Sequence, residues 1–251
     1  MIRATIFAFG VAALAAPAGA ATVRALGSWD AEFTALCSAD APSGLTTQQA
    51  SIACEVAVAE ARSGNGTASG DQEITLRDPQ TNGYSFSGTN GQLAINANDA
   101  YGNPGATYAF SIAYDAVTDL LTYNVGPQTI TRSVVMDPAR TLFIRLRTGG
   151  TGDFNILNMS LTGAAGTFAL GSMTDPDVSY LRVSGFDFTS DFVLSGQYEF
   201  TANIVSTGPN RNNGSRQAVQ FKFTDIATVP VPAAGAMLLA GLGLLGLRRR
   251  A

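Results

Sequence analysis

The side chains that carry most enzyme chemistry are scarce in this chain. There is no histidine among the 251 residues, and Lys222 is the only lysine. That excludes a Ser-His-Asp triad, a Cys-His pair and a His-ligated zinc or haem. A Ser–Lys dyad would have to use Lys222, which alternates with Phe221 and Phe223 and is expected on the exposed face of a strand. No glycine loop has the spacing that cradles a phosphate. Carboxylates remain, and glycoside hydrolysis needs only two of them, about 5–9 Å apart with separated pKa values. Glu73, Asp115, Asp187, Asp191 and Glu199 lie on or beside expected strands. Their plainer reading is as solvated strand ends. No cofactor is called for, and calcium is the one ion the oxygen-rich loops would suit. Those loops are Asn96-Ala97-Asn98-Asp99 and Asp175-Pro176-Asp177. Neither matches an EF-hand loop or a calcium-binding nonapeptide repeat, and Asx turns are the alternative. Tyr84, Tyr101, Tyr108, Tyr114 and Tyr123 would serve either as a carbohydrate platform or as core and cross-strand partners. Three N-x-S/T triplets, at Asn65, Asn158 and Asn213, are what Asn/Ser/Thr-rich turns produce by chance.

The elements that would position these side chains are mostly strands. From Glu73 onward the apolar residues recur with period two. Expected strands are Glu73–Arg77, Tyr84–Ser87, Gln92–Asn96, Thr107–Tyr114, Leu120–Val125, Gln128–Val135 and Thr141–Arg147. Asn155–Leu161, Tyr180–Phe186, Phe192–Leu194, Gln197–Val205 and Ala218–Thr224 follow. Asn82-Gly83, Asn90-Gly91, Gly126-Pro127 and Thr148-Gly149-Gly150 supply turn chemistry between them. Many short strands with frequent turns predict a mainly β protein, a β-sandwich or jelly roll. Residues Trp29 to Arg62 read differently. Asp30 or Ser28 would cap a short helix carrying Phe33 and Leu36, and the Ala-rich run Ala50–Arg62 has Ile52, Val56 and Ala59 at helical spacing. The expectation is a helical hairpin. Cys37 and Cys54, the only cysteines, would staple it if the chain is exported, and two free thiols are the alternative.

The two ends argue for export. Met1–Ala20 has a basic Arg3, an apolar stretch from Ile6 to Ala16 and the small-x-small pattern Ala18-Gly19-Ala20, so cleavage is expected between Ala20 and Ala21. At the other end come Val229-Pro230-Val231-Pro232-Ala233, an uncharged stretch to Leu247, and Arg248-Arg249-Arg250. The prolines keep the first part extended. The uncharged stretch is about fifteen residues, shorter than the ~20 of a comfortable membrane span. Arginines at both extreme ends would stay cytoplasmic and leave the body outside. A plain tail anchor is the alternative.

These last residues resemble the PEP-CTERM class of bacterial sorting signals, in its V-P-L-P-A variant, with Val231 where the name-giving form has Glu. The resemblance implies processing by an exosortase, a membrane transpeptidase, and a role at the surface or in the exopolysaccharide layer. The stretches Leu181-Arg182-Val183-Ser184-Gly185-Phe186-Asp187-Phe188 and Phe192-Val193-Leu194-Ser195-Gly196 resemble the choice-of-anchor surface domains, which imply no catalytic residues. The expected organisation is a signal peptide (1–20), a disulfide-stapled helical segment (21–66), a β-sandwich ectodomain (67–228) and a sorting tail with a membrane helix (229–251). The expected function is non-enzymatic, at the cell surface or in the matrix. The expected partners are the secretion machinery, the exosortase and exopolysaccharide. A secreted carbohydrate-binding or carboxylate-dependent carbohydrate-active sandwich is the alternative.

Charge narrows the partners further. Removing Arg3 and Arg248–Arg250 from the fifteen Lys+Arg leaves eleven against nineteen Asp+Glu. An acidic body is a poor match for nucleic acid or anionic lipid.

Overall fold

The computed structural model describes residues 21–63, 72–81, 83–84, 93–96, 106–148, 154–174, 178–200 and 217–227. The strands are β1 (Thr22–Gly27), β2 (Glu55–Ser63), β3 (Gln72–Arg77), β4 (Leu93–Asn96), β5 (Thr107–Asp115), β6 (Leu120–Val125) and β7 (Gln128–Ser133). They continue with β8 (Thr141–Arg147), β9 (Phe154–Gly163), β10 (Gly166–Met173), β11 (Val178–Ser184), β12 (Phe192–Phe200) and β13 (Gln217–Thr224). Two helices, α1 (Asp30–Ala39) and α2 (Thr47–Ala50), lie between β1 and β2.

Among the described residues the strand pairings are all antiparallel. They form a seven-stranded sheet in the order β1-β11-β8-β13-β2-β3-β4 and a six-stranded sheet in the order β10-β9-β12-β5-β6-β7. The inner faces pack together as a sandwich. Phe221 and Phe223 of the larger sheet meet Phe110 and Phe192 of the smaller, with ring centroids 5.1 and 5.4 Å apart. Period-two alternation accounts for this: Phe110, Ile112 and Tyr114 point inward while Ser111 and Ala113 point out. Inside the core the hydroxyls of Tyr123 and Tyr198 satisfy each other at 2.7 Å, so neither phenol is left unpaired in apolar surroundings.

The helical hairpin is half right. Thr46 caps α2 through a capping box with Gln49, but the helix is only four residues long. The Ala-rich run then becomes β2. Ala57, Ala59 and Ala61 face the core opposite Phe223, Phe221 and Val219, so small side chains sit where the neighbouring strand is bulky. Val58, Glu60 and Arg62 alternate outward. The 66/67 boundary also falls between β2 and β3, which are neighbours in one sheet. Two further strands, β1 and β10, stand where none is expected.

β12 runs unbroken through Gly196, which the sequence reads as a gap between two strands. The glycine is there for close approach. A Cβ at Gly196 would meet the Phe110 ring at 2.7 and 2.8 Å. Expected strand Tyr84–Ser87 has Tyr84 in a turn, and the remainder lies outside the described residues. Among the described residues no helix is long and apolar enough to cross a membrane. The expected signal peptide with Ala20, the expected sorting motif Val229–Ala233, the apolar stretch and Arg248–Arg250 all lie outside them.

Candidate functional site

The structure brings one pair of the candidate acids together. β5 ends at Asp115, and β12 starts at Phe192 with Phe192 opposite Tyr114. Asp191 therefore arrives beside Asp115 at the end of the smaller sheet. Both line an open depression of about 860 Å³, together with Thr122, Thr162, Thr189 and Ser190. Gly163 forms part of its wall, and a Cβ there would meet Phe186 at 2.6 Å.

Hydrogen bonds decide what these acids can do. Asp115 Oδ1 accepts from the N–H groups of Val117 and Thr118, at 2.9 and 3.1 Å, and so closes the β5–β6 turn. Asp191 Oδ1 accepts from the N–H of Ala116 at 2.8 Å and ties the start of β12 to the same turn. Asp187 accepts from the Thr189 N–H and from the Thr189 and Ser190 hydroxyls. The backbone donors of Thr118 and Val117 hold the Asp115 carboxyl below its ordinary pKa. The hydroxyls of Ser190 and Thr189 do the same for Asp187. A glycosidase acid needs the opposite shift, upward. These carboxylates are turn builders, and the depression offers hydroxyls and small apolar surface.

The second constellation lies on the outer face of the larger sheet, beneath α1. Phe33 and Cys37 of the helix pack on Phe143 and Tyr180, and the Cys37–Cys54 disulfide joins α1 to the turn before β2. Asp30, in the first turn of α1, receives Arg145 through Nε and Nη2 at 2.7 and 2.8 Å and the Tyr180 hydroxyl at 2.6 Å. Arg145 is the main reason that the Asp30 carboxyl is held down at about 2. Lys222 does not face solvent as its strand pattern suggests. It points out of the sandwich but is only 7% exposed, because α1 covers it. Its Nζ lies 2.5 Å from Glu55 Oε1 and 4.4 Å from the Phe33 ring centroid. Glu60 receives Arg77 at 3.5 Å and the Gln220 amide at 3.1 Å. Among the described residues the Lys222 amine pairs with the Glu55 carboxylate, so the contact is ionic. Sequence reasoning missed this layer. Arg145 and Lys222 sit at outward positions of expected strands, but only the contact of α1 with the sheet shows that outward means buried for Lys222.

The other candidates fall in several places. Glu199 accepts from the Asn155 amide at 2.9 Å. The Glu73 side chain lies outside the described residues, as do most of both calcium loops, Tyr101, Asn65 and Asn213. Among the described residues no three His, Cys, Asp or Glu side chains gather as a metal site. Tyr114 and Tyr123 are core residues, and burial pushes the Tyr114 phenol up to about 12. Asn158 is exposed with φ 53° in β9, and Ala21 immediately precedes β1. No family model and no curated protein matches this chain.

Proposed function

We propose that this is a non-enzymatic exported protein of the cell surface or exopolysaccharide matrix, anchored by its C-terminal segment and then processed there by an exosortase-type transpeptidase. The observation that carries the reading is the tripartite tail: Val229–Ala233, an uncharged stretch, and Arg248–Arg250. Three features agree with it. The N-terminal twenty residues have signal-peptide grammar. The Cys37–Cys54 bond suits an oxidising compartment. Asp115 and Asp191 are spent on turn hydrogen bonds, and those to Asp115 hold its carboxyl below the ordinary range, which suits a scaffold better than a general acid. The secretion machinery, the exosortase and exopolysaccharide are the proposed partners.

The depression at Asp115 and Asp191 supports a second reading, a secreted carbohydrate-binding sandwich, since its hydroxyls and the apolar surface of Leu120 and Val193 suit a neutral sugar.

Intact mass and fractionation of the protein from its native host test the first reading. A mature chain starting at Ala21 and ending near Val229–Ala234 is expected outside the inner membrane. A membrane-bound chain that keeps Arg248–Arg250 would reduce the tail to a simple anchor and remove the transpeptidase.

A further inference from the structure

The outer face of the larger sheet is unusually basic for an acidic protein with a formal net charge of −4. Arg24, Arg62, Arg77, Arg145, Arg147, Arg182 and Lys222 all alternate onto it. Carboxylates answer several of them: Asp30 for Arg145, Glu55 for Lys222, and Glu60 for Arg62 and Arg77. Arg24 and Arg182 are different. They are direct partners across β1 and β11, so two guanidinium groups stand side by side on one face. Like charges directly opposite each other are unfavourable. Among the described residues neither is recorded against a carboxylate. The Arg182 Nε is shielded from solvent and has no hydrogen-bond partner. Burial first, and Arg24 second, pull the Arg182 pKa down.

The surroundings are specific. Arg182 lies over the Phe143 ring at 5.7 Å, and Trp29, the only tryptophan, stacks on the same ring at 5.5 Å and is half-buried. Thr22 and Ser184 are themselves register partners, two residues along from Arg24 and Arg182 and on the same face. Two unanswered cations, a partly open indole and two flanking hydroxyls are thus assembled at the β1 edge.

We propose that this edge binds the uronate residues of an acidic polysaccharide, the carboxylate on Arg24 and Arg182 and the sugar ring against Trp29. A planar guanidinium fork matches a carboxylate in bidentate fashion, and an indole face suits a sugar ring. Charge density argues for a polyuronate over a nucleic acid. Asp30 and Glu32 lie in the first turn of α1, directly after Trp29, and would repel a densely charged phosphate chain. The site names the ligand class for the matrix role proposed above and in that respect rests on it. Binding in solution does not depend on sorting, so failure of either can be told from failure of the other.

The test uses the full chain, purified in neutral detergent, titrated calorimetrically with oligogalacturonate, with an uncharged oligogalactan and with single-stranded DNA. Oligogalacturonate should bind, and Arg24→Gln should weaken it about tenfold, the scale of one lost charge-assisted bond. Arg24 is exposed on an edge strand, so the variant should melt no lower than the parent, and relief of the like-charge contact should raise its Tm slightly. At one ligand concentration, added oligogalacturonate should raise the Tm of the parent more than that of Arg24→Gln. Equal binding of the uncharged glycan, equal or tighter binding of DNA, or an Arg24→Gln variant that binds like the parent would each overturn the proposal.

Discussion

The two outer faces of this sandwich are built from the same alternation and end in opposite states. On the larger sheet many of the outward residues are charged, and α1 closes over the part around Phe143, Tyr180 and Lys222. On the smaller sheet they are small and hydroxyl-bearing. One row runs Thr167, Thr162, Val193, Ala113, Thr122, Thr131 across all six strands, and the next runs Ala169, Ser160, Ser195, Ser111, Asn124, Thr129. Neighbours in these rows satisfy one another: Ser160 with Ser195 at 3.1 Å, Thr162 with Thr167 at 2.9 Å, and the Asn124 amide on Ser111 at 3.0 Å. The hydroxyl face has cheap local partners and solvent as a fallback. Beneath α1 the charged face has given up solvent and depends on the Lys222–Glu55 pair being complete. Energetic risk is therefore concentrated on one side of the molecule.

Breaking the Lys222–Glu55 pair should have the largest effect. Lys222→Met leaves a carboxylate that is fully buried and already has one oxygen, Oε2, without a partner. The expected loss is about 3–5 kcal/mol by chemical denaturation. Adding Glu55→Leu should recover most of it, because an apolar pair of similar volume avoids the desolvation cost. A single Lys222→Met variant as stable as the parent would contradict the buried pairing.

A smaller effect is expected at Asp30. Its folded pKa is depressed to about 2 from the ordinary 3.8. The contribution is therefore complete above about pH 4, where the unfolded chain is also ionised, and is lost as the pH falls towards 2. Half of the Asp30 side chain meets solvent, so Asp30→Asn should cost only about 1 kcal/mol at neutral pH. The variant should also lose that part of the acid sensitivity, as read from urea midpoints between pH 5 and 2. An unchanged acid profile would place the sensitivity elsewhere.

The smallest effects belong to the hydroxyl face. Ser195→Ala and Thr162→Val should each shift stability by no more than about 0.5 kcal/mol, as measured by thermal melting. A loss of several times that would show that these rows are held as tightly as the charged face.

How much of this was legible depended on the kind of residue. Leu120–Val125 and Thr141–Arg147 were read to the residue, because large apolar side chains alternate without interruption. β2 was misread because its inward residues are alanines, whose helix propensity hides the period of two. β10 carries Gly171 at φ 83° between two register shifts, and that irregularity erases the pattern. β1 is exposed along most of its length and so has no apolar face to reveal it. The pairing of Asp115 with Asp191 depends on the β5–β12 register, and the burial of Lys222 depends on α1. Both are tertiary facts about residues far apart in the chain.

β13 has one more consequence. It is the last of the described strands, yet it lies in the middle of the larger sheet, between β8 and β2. The chain is still held just beyond it: the Asp225 N–H donates to the Cys54 carbonyl and the Ile226 carbonyl accepts from Thr141. Only Ala227 and Thr228 separate Ile226 from Val229. Three residue steps of fully extended chain reach about 11 Å. The tail is thus on a short leash. Whatever grips Val229 works within a side chain's length or two of the folded body. On the proposed processing, the shape of the sandwich at that end would limit how an enzyme approaches Val229.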